Sequence, residues 1–142
     1  MREEREIDRD AVMRTADYAK RRRVHQLIVV SAMSAYRPER NPLSLRHYSR
    51  MKREADAYVV RRGVPPYAIL RPGPLSDDAA RGSIALADED TEFMPPVSRA
   101  DVAELALRRM TYDVRNRTIG LVGGHMPLAE ALTGAQFTPV SA

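Results

Sequence analysis

Two short apolar runs, held one helix apart, constrain this chain more than any other feature. Leu27-Ile28-Val29-Val30 is unbroken and rich in β-branched residues, the pattern of a strand buried on both faces of a parallel sheet. Tyr67-Ala68-Ile69-Leu70 is a second such run. Between them, residues 44–62 carry Tyr48, Met51, Ala55 and Val59 at spacings of three and four, which predicts an amphipathic helix. Gly63 marks its end, and Pro65-Pro66 forbids continuation. Pro38, Asn41 and Pro42 place a loop over residues 36–43. Strand, helix and strand form one βαβ crossover, so the two strands are expected to be parallel and joined right-handedly.

The flanking segments extend the alternation. Val12, Ala16 and Ala19 predict a helix over residues 8–23. Arg71-Pro72-Gly73-Pro74-Leu75 reads as irregular, because prolines flank a glycine. Ser83-Ile84-Ala85-Leu86 reads as a short strand, and the acidic, proline-ended residues 87–96 as a surface loop. Ser98-Arg99-Ala100-Asp101 resembles a capping box with Ser98 as N-cap, followed by an inner stripe of Val102, Leu105, Ala106 and Met110. Thr118-Ile119-Gly120-Leu121-Val122 reads as a third strand. Pro127 is placed at the first position of a last short helix ending at Gly134, with residues 135–142 as a frayed tail. The class is α/β: a partial Rossmann-like domain, part of a doubly wound parallel sheet, over residues 1–134. Only two or three core strands are legible, where such sheets usually carry five or more.

Composition excludes several functions. The 142 residues suffice for one core, and 44% apolar with 30% charged residues fits a globular chain. Without cysteine there is no disulfide, thiolate nucleophile or Cys-ligated zinc. No apolar run is long enough for a transmembrane helix, and Met1-Arg2-Glu3-Glu4-Arg5-Glu6 has no signal-peptide core, so a cytoplasmic protein without a membrane partner is expected. The net charge is +4, but 19 acidic residues are interspersed among the basic ones. The dense run Lys20-Arg21-Arg22-Arg23 is read as a helix C-terminus, where cations complement the dipole, ahead of a nucleic-acid patch. His25, His47 and His125 lack the spacing of a metal cluster.

The candidate chemistry lies at Tyr48-Ser49-Arg50-Met51-Lys52. Tyr-x-x-x-Lys on a helix puts phenol and ammonium on one face, one turn apart. A nearby cation favours phenolate over phenol, which suits a tyrosine that transfers protons. Alone, the pair reads first as a packed tyrosine with a snorkelling lysine. Its neighbours add weight: it follows a buried strand ending in Ser31-Ala32-Met33-Ser34 and precedes one ending in Arg71-Pro72-Gly73-Pro74-Leu75. Both ends belong to the carboxyl edge of a parallel sheet, where α/β ligands bind.

In order, Val29-Val30-Ser31-Ala32, Tyr48-x-x-x-Lys52, Ala55-Asp56, Ile69-Leu70-Arg71-Pro72-Gly73 and Val97-Ser98-Arg99-Ala100-Asp101-Val102-Ala103 resemble the atypical short-chain dehydrogenase/reductases, closest to the NAD(P)H-binding, NmrA-like group, over about residues 8–132. The resemblance implies a cofactor, NADP or NAD, and hydride transfer to or from a small carbonyl-type substrate. Tyr48 would be the acid/base, and Lys52 would hold the nicotinamide ribose. Ser31 and Ala32 would line the cofactor, and Pro72, Gly73, Pro74 and Leu75 would offer backbone groups to the carboxamide. Ser31, Ser34 or Met33 occupies the position of the active-site serine. The family's Gly-x-x-Gly-x-x-Gly turn has no counterpart before residue 26. Gly120-x-x-Gly123-Gly124 reads instead as a strand-end turn. The expectation is therefore a C-terminal portion, truncated before its first βαβ unit, which an upstream segment, a complementing chain or a homo-oligomer would complete. The alternative is a non-catalytic nicotinamide-sensing or protein-binding module.

Overall fold

The structure is a computed structural model and describes residues 2–63, 65–109 and 116–131. Helix α1 (Arg2–Arg22) leads into strand β1 (Leu27–Val30), and helix α2 (Leu43–Arg62) joins it to β2 (Tyr67–Pro72). There follow β3 (Leu75–Ser76), β4 (Ser83–Ala87), β5 (Val97–Ser98), α3 (Arg99–Arg109), β6 (Arg117–Gly123), β7 (Met126–Pro127) and α4 (Leu128–Ala131). The main sheet has five strands in the order β1-β2-β6-β4-β7, and β3 pairs with β5 separately. β1, β2 and β6 are parallel, with Val29 opposite Ile69 and Ile69 opposite Thr118. β4 runs antiparallel to both β6 and β7.

Strand alternation divides the core between the two faces. Val29, Tyr67 and Ile69 pack with Ala16 of α1 and Val59 of α2. Leu70, Ile119, Leu121 and Ile84 pack on the opposite face with Val102 and Leu105 of α3. Helices thus lie on both sides of the sheet, as the βαβ reading requires. Among the described residues, no helix is long and apolar enough to cross a membrane.

Several expectations are corrected. The sheet holds more than two or three strands, because β4, which falls on the short strand read at residues 83–86, joins it antiparallel, and the two-residue β7 adds a pair that no period announces. α1 starts before residue 8, since Arg2–Glu6 are all good helix formers with no breaker. It ends at Arg22, followed by Arg23 with a left-handed φ of 52°. Arg71 and Pro72 belong to β2 rather than to an irregular segment. Proline is tolerated there as the strand's last residue, and Gly73 N carries the ladder onward by donating to Leu121 O at 2.8 Å. Leu75 is likewise in a strand. Pro127 lies in β7, and α4 starts one residue later. The 36–43 loop contains a 3-10 turn over Pro38–Arg40 and follows another over Met33–Ala35.

Other features fall where the sequence puts them. Gly63 caps α2 with a φ of 65°. Ser98 Oγ accepts from Asp101 N at 3.0 Å and donates to the Asp101 carboxylate at 2.8 Å. Met110, Gly134 and the tail 135–142 lie outside the described residues.

Candidate functional site

Because β1, β2 and β6 are parallel, their carboxyl ends share one rim. α2 returns antiparallel to them, so its first turns stand over that rim. Ser31 follows β1 and donates its N–H to Leu70 O at 2.7 Å, which ties the ends of β1 and β2 together. The Met33–Ala35 turn then folds inward. Met33 is fully buried, and its Sδ would stand 3.4 Å from a Cβ at Gly73. Glycine at 73 therefore serves close packing of this turn against β6, whose Val122 Cγ1 would be 3.0 Å from the same Cβ.

Tyr48 and Lys52 share one flank of α2, with Lys52 Nζ 5.7 Å from the centre of the Tyr48 ring. Both are half-buried and line a narrow crevice with Asp8, Arg9 and Val12 of α1. The opposite flank of α2 carries Arg53, Ala57 and Val60 and, with Asp56 between the two flanks, borders a much larger open hollow of about 1170 Å³. The floor of this hollow includes Thr118, Gly120 and Ala85 of the sheet. The large hollow and the Tyr48–Lys52 pair thus lie on different sides of the same helix.

Asp56 joins the two regions. Its Oδ2 accepts from Ser31 Oγ at 2.6 Å and from Arg71 Nε at 3.0 Å. The Arg71 guanidinium in turn stacks 4.5 Å from the centre of the Tyr36 ring. Tyr36 can lie there because Gly120 lacks a Cβ, which would fall 3.1 Å from the ring and 2.3 Å from Ala87 O. Burial pushes the Asp56 carboxyl above its ordinary range, against the pull of Arg71 and of the Ser31 hydroxyl. Burial likewise raises the Tyr36 phenol, opposed by Arg71.

The predicted site residues divide accordingly. Ser31, Pro72 and Gly73 stand at the rim, whereas Tyr48 and Lys52 line the crevice between α2 and α1. Ala32 is half-buried and extended, leading into the Met33–Ala35 turn. In the proline-glycine bend, Gly73 N is engaged by Leu121 O and Pro74 O by Val97 N at 2.9 Å, while the Leu75 side chain is exposed. Of the residues weighed for the active-site serine, Met33 is core and the Ser31 hydroxyl is engaged by Asp56. Ser34, half-buried in the turn, has no side-chain partner among the described residues.

Asp56, Arg71 and Tyr36 were given no role from sequence. The available signal was a carboxylate one turn beyond Lys52 on the same stripe, and an arginine directly after an apolar strand. Lys52 has the donor chemistry that a nicotinamide ribose would take, whereas Ser31 Oγ, Gly73 N and Pro74 O are engaged within the fold. For a pyrophosphate, the described residues hold no glycine-rich turn from strand to helix. Gly123 and Gly124 are packing glycines, whose Cβ atoms would fall 2.4 Å from Pro96 O and 2.5 Å from Ala85 Cβ.

A mainly parallel sheet with helices on both faces defines a Rossmann-like fold. Comparisons with known proteins agree. A Bacillus halodurans protein assigned as an NAD-dependent epimerase/dehydratase superposes with a TM-score of 0.80 at 28% identity, over 85% of this chain and 56% of that one. The oxidoreductase ylbE of Lactococcus lactis does so with a TM-score of 0.75 at 25% identity, with the same coverage of each chain. An uncharacterised chloroplastic protein of Arabidopsis thaliana is 36% identical over 59 residues, 42% of this chain and 21% of its own length. The chain spans only about half the length of the two solved relatives.

The profile of the NAD(P)H-binding family matches residues 2–112, and the chain belongs to that family. Its cofactor class is a nicotinamide dinucleotide, NAD or NADP.

Proposed function

We propose that this chain forms the nicotinamide half of an NAD(P)H-dependent oxidoreductase that acts on a small carbonyl-type substrate. The observation that supports the reading is the Tyr48–Lys52 pair on one flank of α2, the helix that crosses from the end of β1 to the start of β2. When bound, the cofactor supplies or accepts the hydride. Lys52 holds the ribose hydroxyls and sets its positive charge beside the phenol, which favours the phenolate. Tyr48 passes a proton to or from the substrate oxygen. Ser34, with its hydroxyl unengaged, polarises that oxygen. Ser31 instead acts through Asp56, holding the rim in place.

The pyrophosphate turn comes from a segment that pairs with the outer edge of β1. β1 pairs with β2 alone among the described residues, and Val30 at its end is 47% exposed. An open strand edge is a template for such pairing.

The test is turnover of NADPH with a carbonyl panel, alongside cofactor binding read by nicotinamide fluorescence. Tyr48→Phe is expected to lower turnover by about 10²-fold or more while leaving cofactor affinity within about twofold. Lys52→Met is expected to weaken both. Full turnover in Tyr48→Phe would remove the acid/base assignment, and cofactor binding without any turnover would favour a sensing module.

A further inference from the structure

The open hollow beside α2 has no part in the proposed hydride transfer, because Tyr48 and Lys52 line the crevice on the other flank of that helix. Its volume of about 1170 Å³ is ample for a small molecule. The segment proposed to pair with the outer edge of β1 does not fill it. The sheet order β1-β2-β6-β4-β7 sets β6 and β4, which floor the hollow, away from that edge. The floor is flat: Gly120 of β6 pairs with Ala87 of β4, and Ala85 lies two residues back on the same face. None of these three carries a side chain beyond Cβ. Ala57 and Val60 of α2 add apolar surface to the same hollow. Such a floor offers close contact to the face of a planar ring.

One part of the lining is basic and only partly engaged. The Arg71 guanidinium lies 4.5 Å from the centre of the Tyr36 ring, and Arg53 Nη1 donates to the Tyr36 carbonyl at 3.2 Å. Two cations thus meet at Tyr36, and all three residues line the hollow. Arg71 gives Asp56 only its Nε, at 3.0 Å, and Asp56 Oδ1 has no partner. The terminal nitrogens of Arg71 are therefore left without a carboxylate among the described residues. Arg53 is exposed and pairs with no carboxylate among them. The loop after β4, which also lines the hollow, is acidic but committed. The Asp90 N–H and the Thr91 hydroxyl hold the Asp88 carboxyl below its ordinary range, and Glu89 pairs with Arg37 at 3.4 Å. These fixed negative charges disfavour a ligand with several charges of its own, whereas a guanidinium fork receives a single carboxylate by two parallel hydrogen bonds.

We infer that this hollow is a ligand site for a small aromatic monocarboxylate, separate from the Tyr48–Lys52 crevice. Arg71 takes the carboxylate through its terminal nitrogens, and Arg53 adds a second cation. The ring lies on Gly120, Ala85 and Ala87, against Ala57. The site is built from its own residues and stands whether or not Tyr48 transfers a proton.

The experiment is a calorimetric titration of the chain with 2-naphthoate, and with 2-naphthamide, which has the same rings and no charge. It is repeated on Arg71→Lys, which keeps a cation for Asp56 but removes the fork, and on Arg53→Gln. Ala57→Phe fills the hollow from α2, and Arg50→Gln changes an exposed position of the same helix outside the hollow. Melting curves check that each variant folds, and Arg53→Gln with Ala57→Phe decides the matter if Arg71→Lys does not fold. Saturable naphthoate binding supports the inference if it is about tenfold weaker for the amide and in Arg71→Lys. Arg53→Gln should weaken it about threefold, Ala57→Phe should abolish it, and Arg50→Gln should leave it unchanged. Absence of saturable naphthoate binding, equal affinity for acid and amide, or full binding by Ala57→Phe overturns the inference. So does a wild-type dimer that Ala57→Phe dissociates, since a second copy would then occupy the hollow. NADPH titration with saturating naphthoate keeps the two sites apart. Unchanged NADPH affinity supports a separate site, and mutual displacement overturns it by showing that the hollow holds part of the cofactor.

Discussion

Asp56 receives the Ser31 hydroxyl and the Arg71 guanidinium on one oxygen, and so fastens α2, β1 and β2 together where β1 ends. Removing one partner of a buried pair leaves the other charge uncompensated, so Asp56→Ala is expected to lower stability by about 3 kcal/mol in urea melts. Ser31→Ala, which removes one hydrogen bond, should cost about 1 kcal/mol. Asp101 behaves oppositely to Asp56 in pH. Burial pushes its carboxyl up, but the Arg81 N–H, the Ser98 hydroxyl and the Gly82 N–H outweigh that and hold it below the ordinary range. A depressed folded-state value gives stability that is present above the ordinary carboxylate range and lost as pH falls through the depressed one. Melts taken from neutral pH down through the acid range should show that loss, and Asp101→Asn should flatten it. At this scale the sequence was only partly legible. Tyr48, Lys52 and the Ser98 cap follow from spacing along one helix. The Asp56–Arg71–Tyr36 cluster joins three elements, and local spacing does not reveal such a meeting.

At the scale of elements, the βαβ unit was readable because periodicity and breakers agree at each boundary from Leu27 to Leu70. Strands β3, β5 and β7 were not, since two-residue pairings carry no period to detect. Pro72 misled for a related reason: proline argues against a strand interior but not against its last residue. The glycines of β6 are explained only by what lies across from them. Gly120→Ala would set a Cβ against Ala87 O and the Tyr36 ring, whereas Gly82, with a φ of 73°, faces open space. Gly120→Ala is therefore expected to destabilise by about 3 kcal/mol. Gly82→Ala should cost about 1 kcal/mol from backbone strain alone. Parallel urea titrations of the two variants check the ranking, and equal losses would mean that the contacts at Gly120 relax freely.

The described residues form a sheet with helices on both faces, an open hollow over β4 and β6, and a β1 edge that is unpaired among them. Val29 faces the α1–α2 core, and the neighbouring Val30 is exposed. Val30→Lys should thus change stability by no more than about 0.5 kcal/mol, while Val29→Lys should prevent folding, as far-ultraviolet circular dichroism would show. The central claim is that this rim holds the nicotinamide end of a dinucleotide, while the described residues offer its phosphates no turn. Saturation-transfer NMR with NADP tests it directly. The account predicts strong transfer to the nicotinamide and adjoining ribose protons, weak transfer to adenine, and loss of the signal in Lys52→Ala. Transfer confined to adenine, or a signal unchanged by Lys52→Ala, would contradict it.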